Sequence, residues 1–215
     1  MGKHLLLNIL FISLATYFGK TQQHRVDASN ANQACITGKS QTEIYRDSTV
    51  TLFGNRSYTL TLHVFDTLNY DSETNNTILT FSKQENNEVK IFFRDSMYCM
   101  YPDISFHDFN NDKIKDVLVF FYTGARANPT YHLYLTDLKN RKLVRIKGFE
   151  ELSNPYVDTT NNIVTSIALS GTNYYSFYKI TSKNKLINLG HCFDADLDDS
   201  VKYENAIQQI LKENK

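Results

Sequence analysis

The chain has 215 residues, enough for one domain with its own hydrophobic core or for two small ones. Its 23 Lys plus Arg balance 23 Asp plus Glu, so the formal net charge is zero and no long-range field favours nucleic acid or anionic lipid. Fourteen Tyr and fourteen Phe, against eight Gly and three Pro, exclude a collagenous or low-complexity chain and favour strands.

Residues 1–19 read as a secretory signal peptide. Lys3 and His4 supply a short positive start, and Leu5 to Leu14 is apolar apart from Asn8 and Ser13. Ser13-Leu14-Ala15 offers small residues at the two positions that a signal peptidase reads. The apolar run falls short of the ~20 residues a membrane span needs, so no stable span is expected once the signal is removed. The expected destination is periplasmic or secreted. Residues 20–34 are polar and unpatterned and read as a flexible lead-in, and residues 35–215 as a single β domain.

Alternation of period two then recurs along the chain. Strands are expected at Ser48–Phe53 and Tyr58–Phe65. A hairpin follows, Thr77–Phe81 and Val89–Phe93, joined by a polar loop from Ser82 to Glu88. Ile104–Phe106 leads into an acidic segment, and Val117–Tyr122 leaves it as a strongly apolar strand. Tyr131–Leu135 pairs with Leu143–Ile146. Ile163–Leu169 and Tyr174–Ile180 form a hairpin around Ser170-Gly171-Thr172-Asn173, and Leu186–Leu189 is a last short strand. A terminal helix begins at Asp199 or Ser200, with Val201, Tyr203, Ile207, Ile210 and Leu211 as its apolar stripe. The fold class is therefore all-β, an antiparallel β-sandwich or irregular barrel with one C-terminal helix.

The acidic segment is Asp108-Phe109-Asn110-Asn111-Asp112-Lys113-Ile114-Lys115-Asp116. Side-chain oxygens recur at every second residue, and a fourth comes four residues after the third. Such a loop can aim oxygens at one centre, as a hard cation such as Ca2+ requires. Asp108, Asn110, Asp112 and Asp116 would supply side-chain oxygens, and Ile114 its main-chain carbonyl. The other reading is an Asn/Asp-rich turn closed by side-chain-to-backbone hydrogen bonds. The pattern resembles the calcium loops of integrin-type repeats, with Lys113 where Gly is usual. Val119 at the twelfth position excludes an EF-hand, which needs a bidentate Glu there.

Cys35, Cys99 and Cys192 follow the signal, and in an exported chain one disulfide is expected among three possible pairings. No spacing fits a zinc site. Ser170 lacks the Gly-x-Ser-x-Gly context of a hydrolase nucleophile, and His107, His132 and His191 are scattered, so the chain is not expected to be an enzyme.

Ser170-Gly171-Thr172-Asn173-Tyr174 matches the Ser-Gly-x-x-Tyr loop with which exported bacterial lysozyme inhibitors plug their target's cleft. Taken with Asp108–Asp116, Tyr131–Asp137 and Phe149–Asp158, it resembles the calcium-binding periplasmic immunity proteins that neutralise peptidoglycan-cleaving effectors. The resemblance covers residues 100–190. It implies a lysozyme-like peptidoglycan hydrolase as partner. It also implies that Ser170 hydrogen-bonds a catalytic carboxylate of the target, that Gly171 allows close approach and that Tyr174 braces the loop. The alternative from another class is a calcium-stabilised extracytoplasmic binding or adhesion module, with Tyr174, Tyr175, Phe177 and Tyr178 as an aromatic platform.

Overall fold

The computed structural model describes residues 43–47, 58–124, 126–196 and 199–213, the first of these as backbone. The expected signal, the lead-in, Cys35 and the Ser48–Phe53 strand lie outside the described residues. Lys39–Lys215 form one compact unit. Among the described residues the order is β1 (Glu43–Asp47), β2 (Tyr58–Val64), β3 (Thr77–Glu85), β4 (Glu88–Met97), β5 (Ile104–His107), β6 (Asp116–Thr123), β7 (Pro129–Asp137) and β8 (Lys142–Ile146). A 3-10 turn (Phe149–Glu151) leads to β9 (Tyr156–Asp158), β10 (Ile163–Ala168), β11 (Asn173–Ile180), β12 (Leu186–Ala195) and the helix α1 (Ser200–Glu213).

The strands form three four-stranded antiparallel sheets, ordered β1-β2-β3-β4, β5-β6-β7-β8 and β12-β11-β10-β9. Each sheet is a meander of consecutive strands, and none closes into a barrel, so the stacked-sheet form of the expected all-β fold is the one found. The second sheet is the middle layer. Val117 and Val119 on β6 pack with Leu60, Leu62, Leu79 and Phe81 of the first sheet. Leu118 on β6 and Leu133 and Leu135 on β7 pack instead with Val164 and Ile180 of the third. A strand covered on both faces can carry no polar alternation, which is why Val117–Tyr122 reads as one apolar run.

The helix covers the far side of the third sheet, with Ile207 and Ile210 packed on Ile163, Tyr175 and Phe177. Asp199 caps it: its Oδ1 accepts the Lys202 amide at 3.0 Å. Val201 is 69% exposed and leaves the expected apolar stripe, because that stripe turns away from the sheet at the helix start.

Three strand expectations are corrected. The polar stretch Ser82–Glu88 is not a loop: β3 and β4 continue through it to a two-residue turn at Asn86-Asn87, both left-handed (φ 49° and 65°). Two left-handed residues match the twist of a hairpin, and Asn tolerates them. β12 runs past Leu189 to Ala195, since Gly190 (φ 77°) absorbs a bulge opposite Ser176 and Tyr178. β9 was not expected, its three residues being too short for a visible alternation.

A half-buried polar cluster around buried His132 and Tyr134 ties the first sheet to the second. Arg145 on β8 donates to Asp95 on β4 at 3.2 Å and to His132 Nδ1 on β7 at 3.0 Å, with Glu150 at 3.7 Å. The Tyr134 hydroxyl donates to Asp95 at 2.9 Å. Arginine has no acceptor, so His132 Nδ1 accepts and Nε2 carries the proton toward the Tyr98 carbonyl at 3.1 Å. Burial, with the Arg145 charge added, lowers the His132 pKa to about 4. Unfolded His132 takes up a proton near pH 6.5, whereas the folded ring resists it until about 4. The contribution of His132 to stability therefore falls as pH drops from 6.5 to 4, by up to about 3 kcal/mol, while Asp116, with its raised pKa, acts in the opposite sense. We expect His132→Gln to remove that downward contribution to the melting temperature across that window. Parallel curves for the two proteins would contradict the assignment.

Candidate functional site

Ser170, Gly171 and Thr172 stand exposed at the connection between β10 and β11. Gly171 adopts φ 92° with open space where a Cβ would sit, so the backbone geometry and not crowding selects glycine. Ser170 Oγ donates to the Thr172 carbonyl at 2.8 Å, closing the tip on itself. Tyr174 is 42% exposed on the first residues of β11, beside Asp194 of β12. A hydrogen bond with the Cys192 thiol raises the pKa of its hydroxyl. Tyr175 and Phe177 are buried in the core under α1, so the aromatic residues of β11 do not form a continuous platform.

The tip is fastened from below by two side-chain amides. Asn128, in the β6–β7 connection, donates to the Leu169 carbonyl at 3.0 Å and accepts the Leu169 amide at 2.8 Å. Asn154 donates to Asn128 Oδ1 and to the Ile167 carbonyl, both at 2.9 Å, and its own amide reaches the Pro129 carbonyl at 2.9 Å. The residue before the tip is thus held on both its backbone groups by a different sheet. Asn76, 1% exposed, plays the same part between the β2–β3 and β4–β5 connections. It accepts the Cys99 amide at 2.8 Å and donates to the Cys99 carbonyl at 3.0 Å. None of these asparagines stood out in the sequence, where Asn reads simply as a turn residue.

Asp108–Asp116 forms the β5–β6 connection, at the other end of β6. Asp108 accepts the Asp112 amide at 3.2 Å and the Lys113 amide at 2.8 Å. Asn110 Oδ1 accepts the Asp112 amide at 3.1 Å, and Asp112 accepts the Ile114 amide at 2.8 Å and the Asn110 side chain at 2.9 Å. Lys113 is left-handed (φ 70°), where a side chain costs on the order of 1 kcal/mol relative to Gly. Asp116 turns inward. It is fully buried, and its two oxygens accept the Phe109 and Thr136 amides at 2.8 and 3.0 Å. Burial raises its pKa to about 7, the two amides opposing and Asp112 and Asp108 adding to the rise.

Asp108, Asn110 and Asp112 are therefore brought together, with Ile114 next to them, while Asp116 anchors the loop. Among the described residues no group of three or more His, Cys, Asp or Glu side chains is arranged to hold a metal ion. The donors are all oxygens, and each oxygen that accepts one amide keeps a further lone pair, which suits a hard cation. An open cleft of about 380 Å³ lies beside the loop, lined by Asp112, Asp137, Lys139 and Asn184 among others.

Two of the described histidines make polar contacts with other elements. His132 belongs to the polar cluster, and His191 meets Glu213 of α1 at 2.8 Å. His107, exposed at the end of β5, has its pKa lowered by partial desolvation, with Lys115 adding. Comparison of the chain with protein-family models, with curated proteins and with solved structures returns no significant match.

Cys99 and Cys192 are both free, and because each of the three expected pairings uses at least one of them, the expected disulfide is not formed in this structure. Cys99 lies in the core between the first two sheets, and Cys192 is exposed on the edge strand of the third. Burial pushes the Cys99 thiol up to about 12, and its Sγ donates to the Tyr101 carbonyl. In a Cys35→Ser protein, we expect a thiol reagent to label Cys192 in the native state and Cys99 only after unfolding, as read by mass spectrometry. Native labelling of Cys99 would contradict its placement.

Proposed function

We propose that this protein is an exported inhibitor, or immunity protein, of a lysozyme-like peptidoglycan hydrolase, acting through the tip Ser170–Thr172. The observation that carries the reading is a Ser-Gly tip that projects from a hairpin while the residue beneath it is clamped on both backbone groups by Asn128. A tip already held in shape loses little conformational freedom on entering a cleft. Inside a cleft, Ser170 Oγ exchanges its bond to the Thr172 carbonyl for one to a carboxylate of the target, which is the stronger acceptor. Gly171 leaves room for the cleft wall, and Tyr174 offers a ring and a hydroxyl beside it.

Potency against a panel of peptidoglycan hydrolases tests this. We expect Ser170→Ala to weaken inhibition of the cognate enzyme at least about tenfold, the worth of one charge-assisted hydrogen bond, with the melting temperature unchanged. Undiminished potency in the variant would remove the tip from the mechanism.

In the same reading, Ca2+ binds Asp108, Asn110, Asp112 and the Ile114 carbonyl, while Asp116, expected from the sequence as a further ligand, has both oxygens on backbone amides and holds the loop against β6 and β7. A bound cation would offset the repulsion among half-buried Asp108, exposed Asp112 and buried Asp116. A ligand that binds only the native state stabilises it by mass action. We expect millimolar Ca2+ to raise the melting temperature of the protein and EDTA to reverse the gain, with Asp112→Ala abolishing the response. A melting temperature indifferent to both would leave the loop as a turn closed by its own amides.

A further inference from the structure

The zero net charge of this chain is not evenly spread. β6 runs from the Asp108–Asp116 loop at one end of the stack to the Ser170 end at the other. At the Ser170 end the β2–β3 connection carries Asp66, Asp71 and Glu73, and the segment after β12 carries Asp196 and Asp199, with Asp194 just before them. Among the described residues of the connections at this end the cations are Arg126 and Lys147, the latter in the β8–β9 connection with Glu150 and Glu151. Lys202 of α1 lies close by, but it is turned onto the Asp194 carbonyl and the Phe193 ring. The connections at the opposite end mix Lys113, Lys115, Lys139, Arg141, Lys183 and Lys185 with their acids.

The acidic end is also rich in exposed tyrosine. Tyr70 is 74% exposed, Tyr122 40% and Tyr174 42%. These residues lie at the same end of the three sheets as the tip, in or beside the connections there. Asn76 fastens the Tyr70 connection to Cys99, and the Met100 amide bonds the Phe121 carbonyl beside Tyr122. Five residues past the end of β6, Asn128 of the β6–β7 connection reaches Leu169. On the other side of the tip, Tyr174 pairs with Asp194.

We propose that this whole end, and not the hairpin tip alone, is a docking face for a basic protein. The inference rests on the inhibitor reading and identifies the charge of the partner. Tyrosine supplies large contact area with few torsions to freeze, and is enriched where proteins meet proteins. The acids around it attract a cationic surface and repel an anionic one. A hydrolase that works on an anionic cell-wall polymer gains encounters from positive charge around its cleft, and that same charge recruits this face. Peptidoglycan itself, with its peptide carboxylates, is disfavoured as the occupant on the same ground.

The test uses a strongly basic lysozyme as probe and measures association and dissociation rates by surface plasmon resonance across salt. It compares the intact mature protein, Ser170→Ala, and a combined Asp71→Asn, Glu73→Gln, Asp194→Asn, Asp196→Asn variant, all checked for unchanged melting. At ~20 mM salt the combined variant should associate about tenfold more slowly than wild type. The gap should close by ~0.5 M, where screening is nearly complete. Its dissociation rate should not change. An association rate that is indifferent to salt, or equal in the combined variant and wild type at low salt, overturns the proposal. So does retention on purified peptidoglycan that survives in the combined variant, which would make the face a glycan platform. If the charge effect holds while Ser170→Ala dissociates like wild type, the basic-partner face stands and only the plugging role of the tip fails.

Discussion

Three sheets whose strands pair only among themselves must still be fastened to one another, and at the Ser170 end side-chain amides do part of that fastening. Asn76, Asn128 and Asn154 stand in for backbone partners where connections from different sheets meet. A loop backbone cannot be buried unless its amides and carbonyls find acceptors and donors. An asparagine supplies one of each, in the spacing of a peptide group, and so completes a neighbouring chain as a strand would. Each such bond contributes about 1 kcal/mol when made, and leaving its buried partners empty costs about 1–3 kcal/mol apiece. The position of the tip above the core follows from this, because Asn128 holds Leu169 by both backbone groups.

The opposite end uses carboxylates for the same task. Asp116 satisfies two amides from two elements while buried to the last atom, and the cost shows as a pKa raised to about 7. Asp108 and Asp112 close the loop over it through four amide bonds. Three of those four end on a carboxylate, the fourth on Asn110. That concentration of negative charge around a left-handed Lys113 is an arrangement a hard cation relaxes, and it is equally one that amide dipoles alone can hold.

Much of this was legible in the sequence because it is written in local chemistry. A run covered on both faces must be apolar, so β6 was visible. Ser-Gly between aromatic strands marks a turn, so the tip was visible. An aspartate before an amphipathic stripe marks a helix start, so α1 was visible. What was not legible depends on tertiary placement. Asn86-Asn87 looked like part of a loop because nothing local says that Ser82 to Gln84 pair with Val89 to Ile91. Asn76, Asn128 and Asn154 looked like ordinary turn residues. The asymmetry of charge was invisible for a simpler reason: a sum of zero is compatible with any distribution, and which connections share an end is decided by strand direction.

Strand β6 joins the two ends, and its burial on both faces decides how they can communicate. It begins at Asp116, inside the acidic loop, and ends at Thr123, five residues before the asparagine that holds Leu169. Val117, Leu118, Val119 and Phe120 are all buried, so the strand cannot slide or tilt without repacking two cores at once. Closure of the loop, whether by amides alone or around a cation, therefore acts on the tip through stability and not through movement. It lowers the population of molecules in which β6 has come loose, and it leaves the shape of the tip in the folded molecule as it was. A binding loop that must fit a cleft is served by that arrangement, since a site that shifted with the occupancy of a distant loop would lose its preorganisation each time the loop emptied.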